Sequence, residues 1–498
     1  MTVTDLLSKL VDVTDRGLYV DDDFISWSEH LRRSAQRAGA IAELLTPGRP
    51  PHVGVLMSNV AEFSYAIAAA ALGRFVVVGL NTTRRGAALA ADIATADCDL
   101  VLTCSDTHHL LDSVDHGARV INVDSGEWPA LLAPHGETRV DLPDSSDDDL
   151  LMLIFTSGTT GDPKAVRCTH RTFAAGGTML AERFGIGPTD NVYLSMPMFH
   201  SNATIAGWSV AVAGTASITL RRRFSASSFL PDVRRFGVTY ANYVGKPLNY
   251  ILATPEEPDD AENPLRIVYG NEASASDRRR FAARFGCRVV DGFGSTEGGV
   301  AITRTPDTPD DALGPLRPPT AVVDPDTGAS LPAGEVGEIV NSSGPGLFSG
   351  YYRNREATAE RMRGGVYHTG DLGWVDDAGY VHFAGRLGEW MRVDGENLCA
   401  GPIERILLRN NSIRQAAVYG VPTEIGDEIE AVLVAPALGP DEFGDFLAAQ
   451  TDLGPKQWPH RVRVVDALPE TATFKTLTRT LRENSSTPTW TRRGRTYR

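Results

Sequence analysis

LIFTSGTTGDPKAV, residues 153–166, is the stretch from which the rest of the chain is read. Leu153, Ile154 and Phe155 end the apolar run LLMLIFTS (150–157), which has the length of a covered β-strand. The run passes directly into Thr156, Ser157, Gly158, Thr159, Thr160 and Gly161, and closes on Asp162, Pro163 and Lys164. Small residues let the backbone come close to an anion. Hydroxyls and backbone N–H groups can then donate to it, and a lysine adds positive charge. The pattern is not the GxxxxGK[ST] of a Walker loop. A Gly/Ser/Thr segment alone reads as a flexible turn. The strand before it and the Pro-Lys after it shift the reading to a phosphate-binding loop.

Outward from this loop, short apolar runs recur: HVGVLM (52–57), FVVVGL (75–80), LVLTC (100–104), RVINV (119–123), VTYANYV (238–244), LRIVYG (265–270) and RVVDGFG (288–294). Helix-like stretches such as Ala61–Gly73 and Ser276–Phe285 separate many of them. This alternation predicts an α/β fold of layered, mostly parallel sheets covered by helices. Acidic, Pro-rich loops at 141–149, 254–264 and 305–319 punctuate it. From about Val322 to Phe383, Gly-rich turns alternate with short strands and predict a small β-rich subdomain. After Gly385-Arg386 the composition changes again. QAAVYGV (415–421) and EAVLVAPAL (430–438) read as strands and DEFGDFLAAQ (441–450) as a helix, giving a small α+β domain. The expected division is 1–387 and 388–498. The basic tail WTRRGRTYR (490–498) reads as a loosely ordered terminus.

A net charge of −15 repels nucleic acid, so any phosphate site must be local. The cysteines at 98, 104, 168, 287 and 399 show no CxxC spacing, which predicts free thiols rather than a disulfide framework or a zinc cluster. Residues 1–17 lack the basic start and apolar stretch of a signal peptide. The runs Ala66–Leu80 and Ile205–Leu220 fall short of the roughly 20 clean residues of a membrane span and read as buried helix and strand.

The loop resembles the TSGTTGxPKG-like signature of the adenylate-forming superfamily: acyl-CoA synthetases, beetle luciferases and peptide-synthetase adenylation domains. Ala165 stands where the last Gly usually lies. DGFGSTEG (291–298) is similar to the family's second nucleotide motif. The resemblance implies that Phe293 stacks on adenine, with Asp291 and Gly292 beside it. Thr296 would bind the α-phosphate, and Glu297 would hold Mg²⁺ with help from Thr156. Gly270, Asn271 and Glu272 match the adenine-side wall. GEVGEIV (334–340) and YHTGDLGW (367–374) are further family-like segments, in which Asp371 would accept the ribose hydroxyls, helped by Arg386. PMFHSNA (197–203) resembles the segment between the nucleotide and acyl pockets. His200, Val244, Gly245 and Gly270 would line the acyl pocket, with His200 gating it or orienting the carboxylate. LPETATFKTLTR (468–479) carries Lys475, the counterpart of the mobile catalytic lysine.

Gly388 stands at the family's hinge, where Asp or Lys is common, and Gly395 would face the coenzyme A channel. These departures, with RRFSASSF (222–229), YVGKPLNYIL (243–252) and TFK (473–475), are similar to the very-long-chain acyl-CoA synthetase and fatty-acid-transport-protein branch, and to actinobacterial ligases for long-chain or steroid acids. The resemblance implies a ligase using ATP, Mg²⁺ and coenzyme A on a lipophilic carboxylic acid through an acyl-adenylate. It implies a mobile C-terminal domain, no nucleic-acid partner and no transmembrane segment. The expected setting is cytoplasmic, with peripheral contact at the inner membrane surface and a homodimer both admitted. Three other readings stand beside it: a ligase for steroid side-chain acids, an acyl-AMP ligase that loads a carrier protein, and a weakly catalytic lipid-binding or uptake protein.

Overall fold

A computed structural model describes the chain apart from residues 113, 157–162, 388–390, 394–395, 399, 424–425, 471–475 and 485–486. It divides into two units. The first comprises Met1–Ala301 and Ser343–Gly365; the second comprises Ile302–Ser342 and Val366–Arg498.

Two sheets carry the first unit. In one, the strands lie in the order Arg119–Asn122, Leu100–Thr103, His52–Leu56, Val76–Gly79, Leu150–Thr156 and Lys164–Thr169. All pair in parallel except the last, which folds back on Leu150–Thr156 as an antiparallel hairpin. In the other sheet, Arg288–Gly294, Ile267–Asn271, Tyr240–Val244, Asn191–Leu194, Ser217–Leu220 and Gly17–Val20 run parallel, and Asp23–Ser26 pairs antiparallel with Gly17–Val20. Leu151, Met152, Leu153 and Ile154 are wholly buried, as expected for a parallel strand covered on both faces.

Helices cover these sheets, and their ends are legible in the chain. Thr169 caps His170–Phe184 through a capping box with Thr172, and Gly185 (φ 62°) ends that helix. The strand Lys164–Thr169 therefore runs straight into a capped helix. Ala61–Gly73 is apolar on all sides because it is buried all round, packed against Trp27–Leu44; it ends at Arg74 in the left-handed region. The run Ala66–Leu80 is thus the end of a helix followed by strand Val76–Gly79. Among the described residues no helix is long and apolar enough to cross a membrane. Cys98, Cys104, Cys168 and Cys287 are buried and free.

In the second unit, an antiparallel sheet orders Gly314–Pro315, Tyr380–Arg386, Tyr367–Val375, Gly337–Asn341 and Thr320–Val323, extending the expected β-rich segment at both ends. A further sheet orders Gln415–Thr423, Gly426–Val434, Arg461–Val464, Trp490–Arg493 and Thr496–Tyr497. Its core joins Ile429, Leu433, Phe443, Leu447 and Val462.

The tail corrects one expectation. Instead of a loose terminus, Trp490–Arg493 and Thr496–Tyr497 form a hairpin whose first strand pairs with Arg461–Val464. The anchors are aromatic. Tyr497 is buried against Phe443, with ring centroids 4.9 Å apart, and its hydroxyl donates to the Pro459 carbonyl at 2.7 Å. Counting the arginines hid the two aromatic residues that hold the segment down.

Candidate active site

Hairpin register sets the residues that flank the candidate phosphate segment. Thr156 lies opposite Lys164, and its hydroxyl reaches the Lys164 carbonyl at 3.4 Å. Ser157, Gly158, Thr159, Thr160 and Gly161 lie outside the described residues. Beyond Lys164, the segment Gly350–Tyr352 runs along the same strand. Arg167 N–H donates to the Gly350 carbonyl at 3.0 Å, and Tyr352 N–H donates to the Ala165 carbonyl at 2.8 Å. This lays the Tyr351 ring under the Lys164 ammonium, 5.5 Å from its centroid. The Tyr351 hydroxyl in turn donates to Glu297 Oε1 at 2.9 Å. Burial, reinforced by the Glu297 charge, pushes the Tyr351 phenol up. The Lys164 strand and the second motif therefore meet across one tyrosine ring, which lies 54 positions beyond Glu297.

Glu297 is 7% exposed. Tyr351 is its hydrogen-bond partner, and among the described residues no lysine, arginine or histidine pairs with it. A buried carboxylate without a cation is costly. Mg²⁺ favours one or two protein carboxylates completed by water and phosphate oxygens, so this environment fits that ion.

The strand ends converge beside Glu297. Tyr243, Gly270 and Asp291 are in register across three parallel strands, and Val244 is opposite Asn271. Ligand crevices in such sheets form outside the carboxyl ends of the strands. Gly270 permits the close approach: a Cβ there would lie 2.1 Å from the Tyr243 carbonyl oxygen. Asn271 Nδ2 donates to the Gly292 carbonyl at 2.8 Å, and Gly245 N–H donates to the Asn271 carbonyl at 2.6 Å. Glu272 holds φ 66° at the exit of its strand. Asp291 is tied into the sheet: one oxygen accepts from the Tyr243 hydroxyl, the other from Arg278 Nη1 at 2.9 Å. Phe293 follows, half-buried.

A helix closes the other side. Ser201 Oγ lies 2.8 Å from Thr296 Oγ1, which fixes the PMFHSNA segment against the second motif. His200 precedes Ser201. Its Nε2 is buried and without a partner, and the Phe199 ring lies 4.4 Å away. Burial lowers the His200 pKa from 6.5 to about 4, so the ring is neutral at pH 7. From Thr204 to Trp208 the helix widens into a π turn before resuming at Ser209–Gly214. Such turns concentrate at functional sites. The sequence reading named neither the π turn nor Tyr351. The one available signal for Tyr351 was its place after Gly350, behind a Gly/Ser-rich stretch (342–350).

In the second unit, Asp371 and Arg386 sit opposite each other on neighbouring strands, and Arg386 Nε lies 3.2 Å from Asp371 Oδ1. The buried Glu338 accepts from Gly370 N–H at 2.9 Å and pairs with His368, which fixes the turn before Asp371. Gly388, Gly395 and Lys475 lie outside the described residues.

Residues 11–352 match the AMP-binding enzyme family, and residues 402–475 match the AMP-binding enzyme C-terminal domain. The chain is 58% identical over 484 residues to the medium/long-chain-fatty-acid–CoA ligase FadD17 of Mycobacterium tuberculosis (strain ATCC 25618 / H37Rv), covering 96% of each. It is 44% identical over 480 residues to the steroid-22-oyl-CoA synthetase of Rhodococcus jostii (strain RHA1), covering 92% of this chain and 86% of the relative. ATP-bound MatB from Rhodopseudomonas palustris superimposes with a TM-score of 0.86 at 25% identity, over 97% of this chain and 99% of that one.

Proposed function

The chain belongs to the AMP-binding enzyme family and is an acid–thiol ligase; we propose that it joins medium- or long-chain fatty acids to coenzyme A through an acyl-adenylate, using ATP and Mg²⁺. The observation that carries the site reading is the buried Glu297, bonded among the described residues to no cation and tied by Tyr351 to the strand of Lys164. A second substrate reading is a steroid side-chain acid, favoured by the 44% identity to the Rhodococcus enzyme.

A carboxylate does not expel its own oxygen readily, so activation must come first. The acid's carboxylate attacks the α-phosphorus of ATP in line and pyrophosphate leaves. Charge crowds at the α-phosphate, and the protein contributes position and preorganised positive charge. Lys164 and the loop from Thr156 hold the phosphates. Thr296, fixed by Ser201, donates to the α-phosphate. Glu297 would hold Mg²⁺, which when bound would supply positive charge to the phosphates. Gly270, Asn271, Glu272, Asp291, Gly292 and Phe293 form the adenine wall, and Asp371 with Arg386 receives the ribose. Neutral His200 offers Nε2 to the acyl carboxylate at the pocket mouth, beside Val244 and Gly245. Lys475 completes the adenylation site.

The thiol then attacks the acyl carbonyl and AMP leaves. Residues 388–498 turn about Gly388, withdrawing Lys475 and presenting Gly395 to the pantetheine channel. Because the acid partitions into lipid, the enzyme works in the cytoplasm with peripheral contact at the inner membrane surface.

The test measures pyrophosphate release and thioester product over medium-chain, long-chain and sterol side-chain acids, with coenzyme A and with a phosphopantetheinyl carrier as acceptors. Thioester formed on coenzyme A with fatty acids is the expected result. Product on the carrier alone, or no pyrophosphate with any acid, would sink the proposal.

A further inference from the structure

One side-chain amide grips the segment that carries His200. Asn59 lies in the turn between strand His52–Leu56 and helix Ala61–Gly73, within the first unit, and is 4% exposed. Its Nδ2 donates to the Met196 carbonyl at 2.8 Å, and its Oδ1 accepts from Met198 N–H at 2.9 Å. Its own N–H donates to the Arg222 carbonyl at 3.2 Å, which anchors the residue from behind. A planar amide offers a donor group and an acceptor side by side. These match the carbonyl and the N–H on either side of Pro197, and a carboxylate of the same size would have no donor for Met196.

The grip reaches His200 within one turn. His200 N–H donates to the Pro197 carbonyl at 3.0 Å. The His200 carbonyl in turn accepts from Thr204 N–H at 3.1 Å and from the Thr204 hydroxyl at 3.0 Å. Met196, Met198 and Phe199 are all buried. From the other side, strand Val76–Gly79 presses on the same turn. A Cβ on Gly79 would lie 3.0 Å from the Phe199 carbonyl oxygen and 3.1 Å from its Cα. The backbone of His200 is thus held before and after the residue, while its Nε2 is buried without a partner.

We propose that Asn59 is a positioning residue for His200: it fixes the turn 196–200 so that Nε2 meets the carboxylate of the incoming acid. The inference rests on the reading of His200 as the group that orients that carboxylate. Without the amide, the Met196 carbonyl and the Met198 N–H are left buried and unpaired, and the turn shifts to recover partners. Misplacing a group at the reacting centre by about 1 Å costs on the order of a hundredfold. The described hydrogen bonds of Asn59 go to Met196, Met198 and Arg222, none of which lies on the strands that carry Lys164, Gly270 or Asp291. The loss therefore falls on the acid and spares MgATP.

The test uses the full chain with Asn59→Ala, and with Gly79→Ala, which crowds the Phe199 backbone from the other side without removing a hydrogen bond. Each is made alone and in the His200→Gln background, with laurate and palmitate as the acids. Pyrophosphate release is measured against acid concentration, and MgATP affinity is measured separately. The expected result is a fall of about ten- to a hundredfold in kcat/KM for the acid with Asn59→Ala, and a smaller fall of the same kind with Gly79→Ala. MgATP affinity stays within about twofold, and neither change costs more than about twofold in the His200→Gln background. Equal losses toward acid and MgATP, a full further loss in the His200→Gln background, or unchanged kcat/KM in both variants would overturn the proposal. Gly79→Ala decides the matter if Asn59→Ala does not fold. If His200→Gln alone leaves kcat/KM for the acid intact, the reading of His200 fails first and takes the proposal with it; that single variant tells the two failures apart.

Discussion

Two buried glutamates in this protein live under opposite conditions. Glu430, in the second unit, is wholly buried and meets two guanidinium groups and a phenol. Glu297, in the first unit, is nearly as buried but among the described residues bonds only the Tyr351 phenol, and the Arg361 guanidinium meets that phenol at 3.4 Å rather than the carboxylate. Taking a carboxylate out of water costs several kcal/mol unless a partner charge compensates, so the two sites cannot serve the same end. Glu430 is compensated within the fold and fixes geometry. Glu297 has no such direct compensation among the described residues, which is what the proposed Mg²⁺ role draws on.

That contrast fixes the sign of each substitution. The largest effect on stability is expected from Glu430→Gln, which leaves Arg463 and Arg461 facing a neutral group. Chemical denaturation should show a loss of about 3–5 kcal/mol; a loss below about 1 kcal/mol would remove the claim that this cluster is compensated as a unit. Glu297→Gln should do the reverse. The apo protein should melt at the same temperature or higher, while MgATP-dependent pyrophosphate release falls about 10²–10³-fold. A lower apo melting temperature with activity intact would make Glu297 a structural residue.

Tyr351→Phe sharpens the comparison from the other side, because it strips Glu297 of its single donor. The apo protein should lose about 2 kcal/mol, the scale of a hydrogen bond to a charged group. Saturating MgATP should restore part of that in a thermal shift assay, since a ligand that binds only the folded state stabilises it. No recovery with MgATP would separate Tyr351 from the nucleotide site.

At neutral pH the smallest effect is that of His200. Its folded pKa lies near 4, below the ordinary 6.5, so between these values the unfolded chain binds the extra proton. Stability therefore falls as pH drops from about 6.5 to about 4, with a slope from this group of at most about 1.4 kcal/mol per pH unit. His200→Gln should flatten the stability–pH curve in that window. An unchanged slope would mean that His200 is not held neutral by burial.

How much of this was legible in the chain varies by element. The strands Leu150–Thr156, Ile267–Asn271 and Arg288–Gly294 were visible because covered parallel strands read as unbroken apolar runs. The hairpin that pairs Leu150–Thr156 with Lys164–Thr169 was not, because the sequence marks only the first strand and the small residues that follow it. Tyr351 was not, because its meaning comes from a carboxylate 54 positions away. The π turn at Thr204–Trp208 escaped as well, since its residues carry the apolar pattern of any buried helix. The tail was misread because Trp490 and Tyr497 have a core to enter only once strand Arg461–Val464 is in place.

By itself, then, the sequence determined the layered α/β plan and the family to which the chain belongs, because both are written in the spacing of neighbouring residues. Only the tertiary structure decided which buried charges are paired and which is left open. That depends on side chains brought together from distant strands, and in a low-dielectric interior a carboxylate bonded directly to guanidinium groups and one bonded only to a phenol differ by several kcal/mol in how well they are compensated.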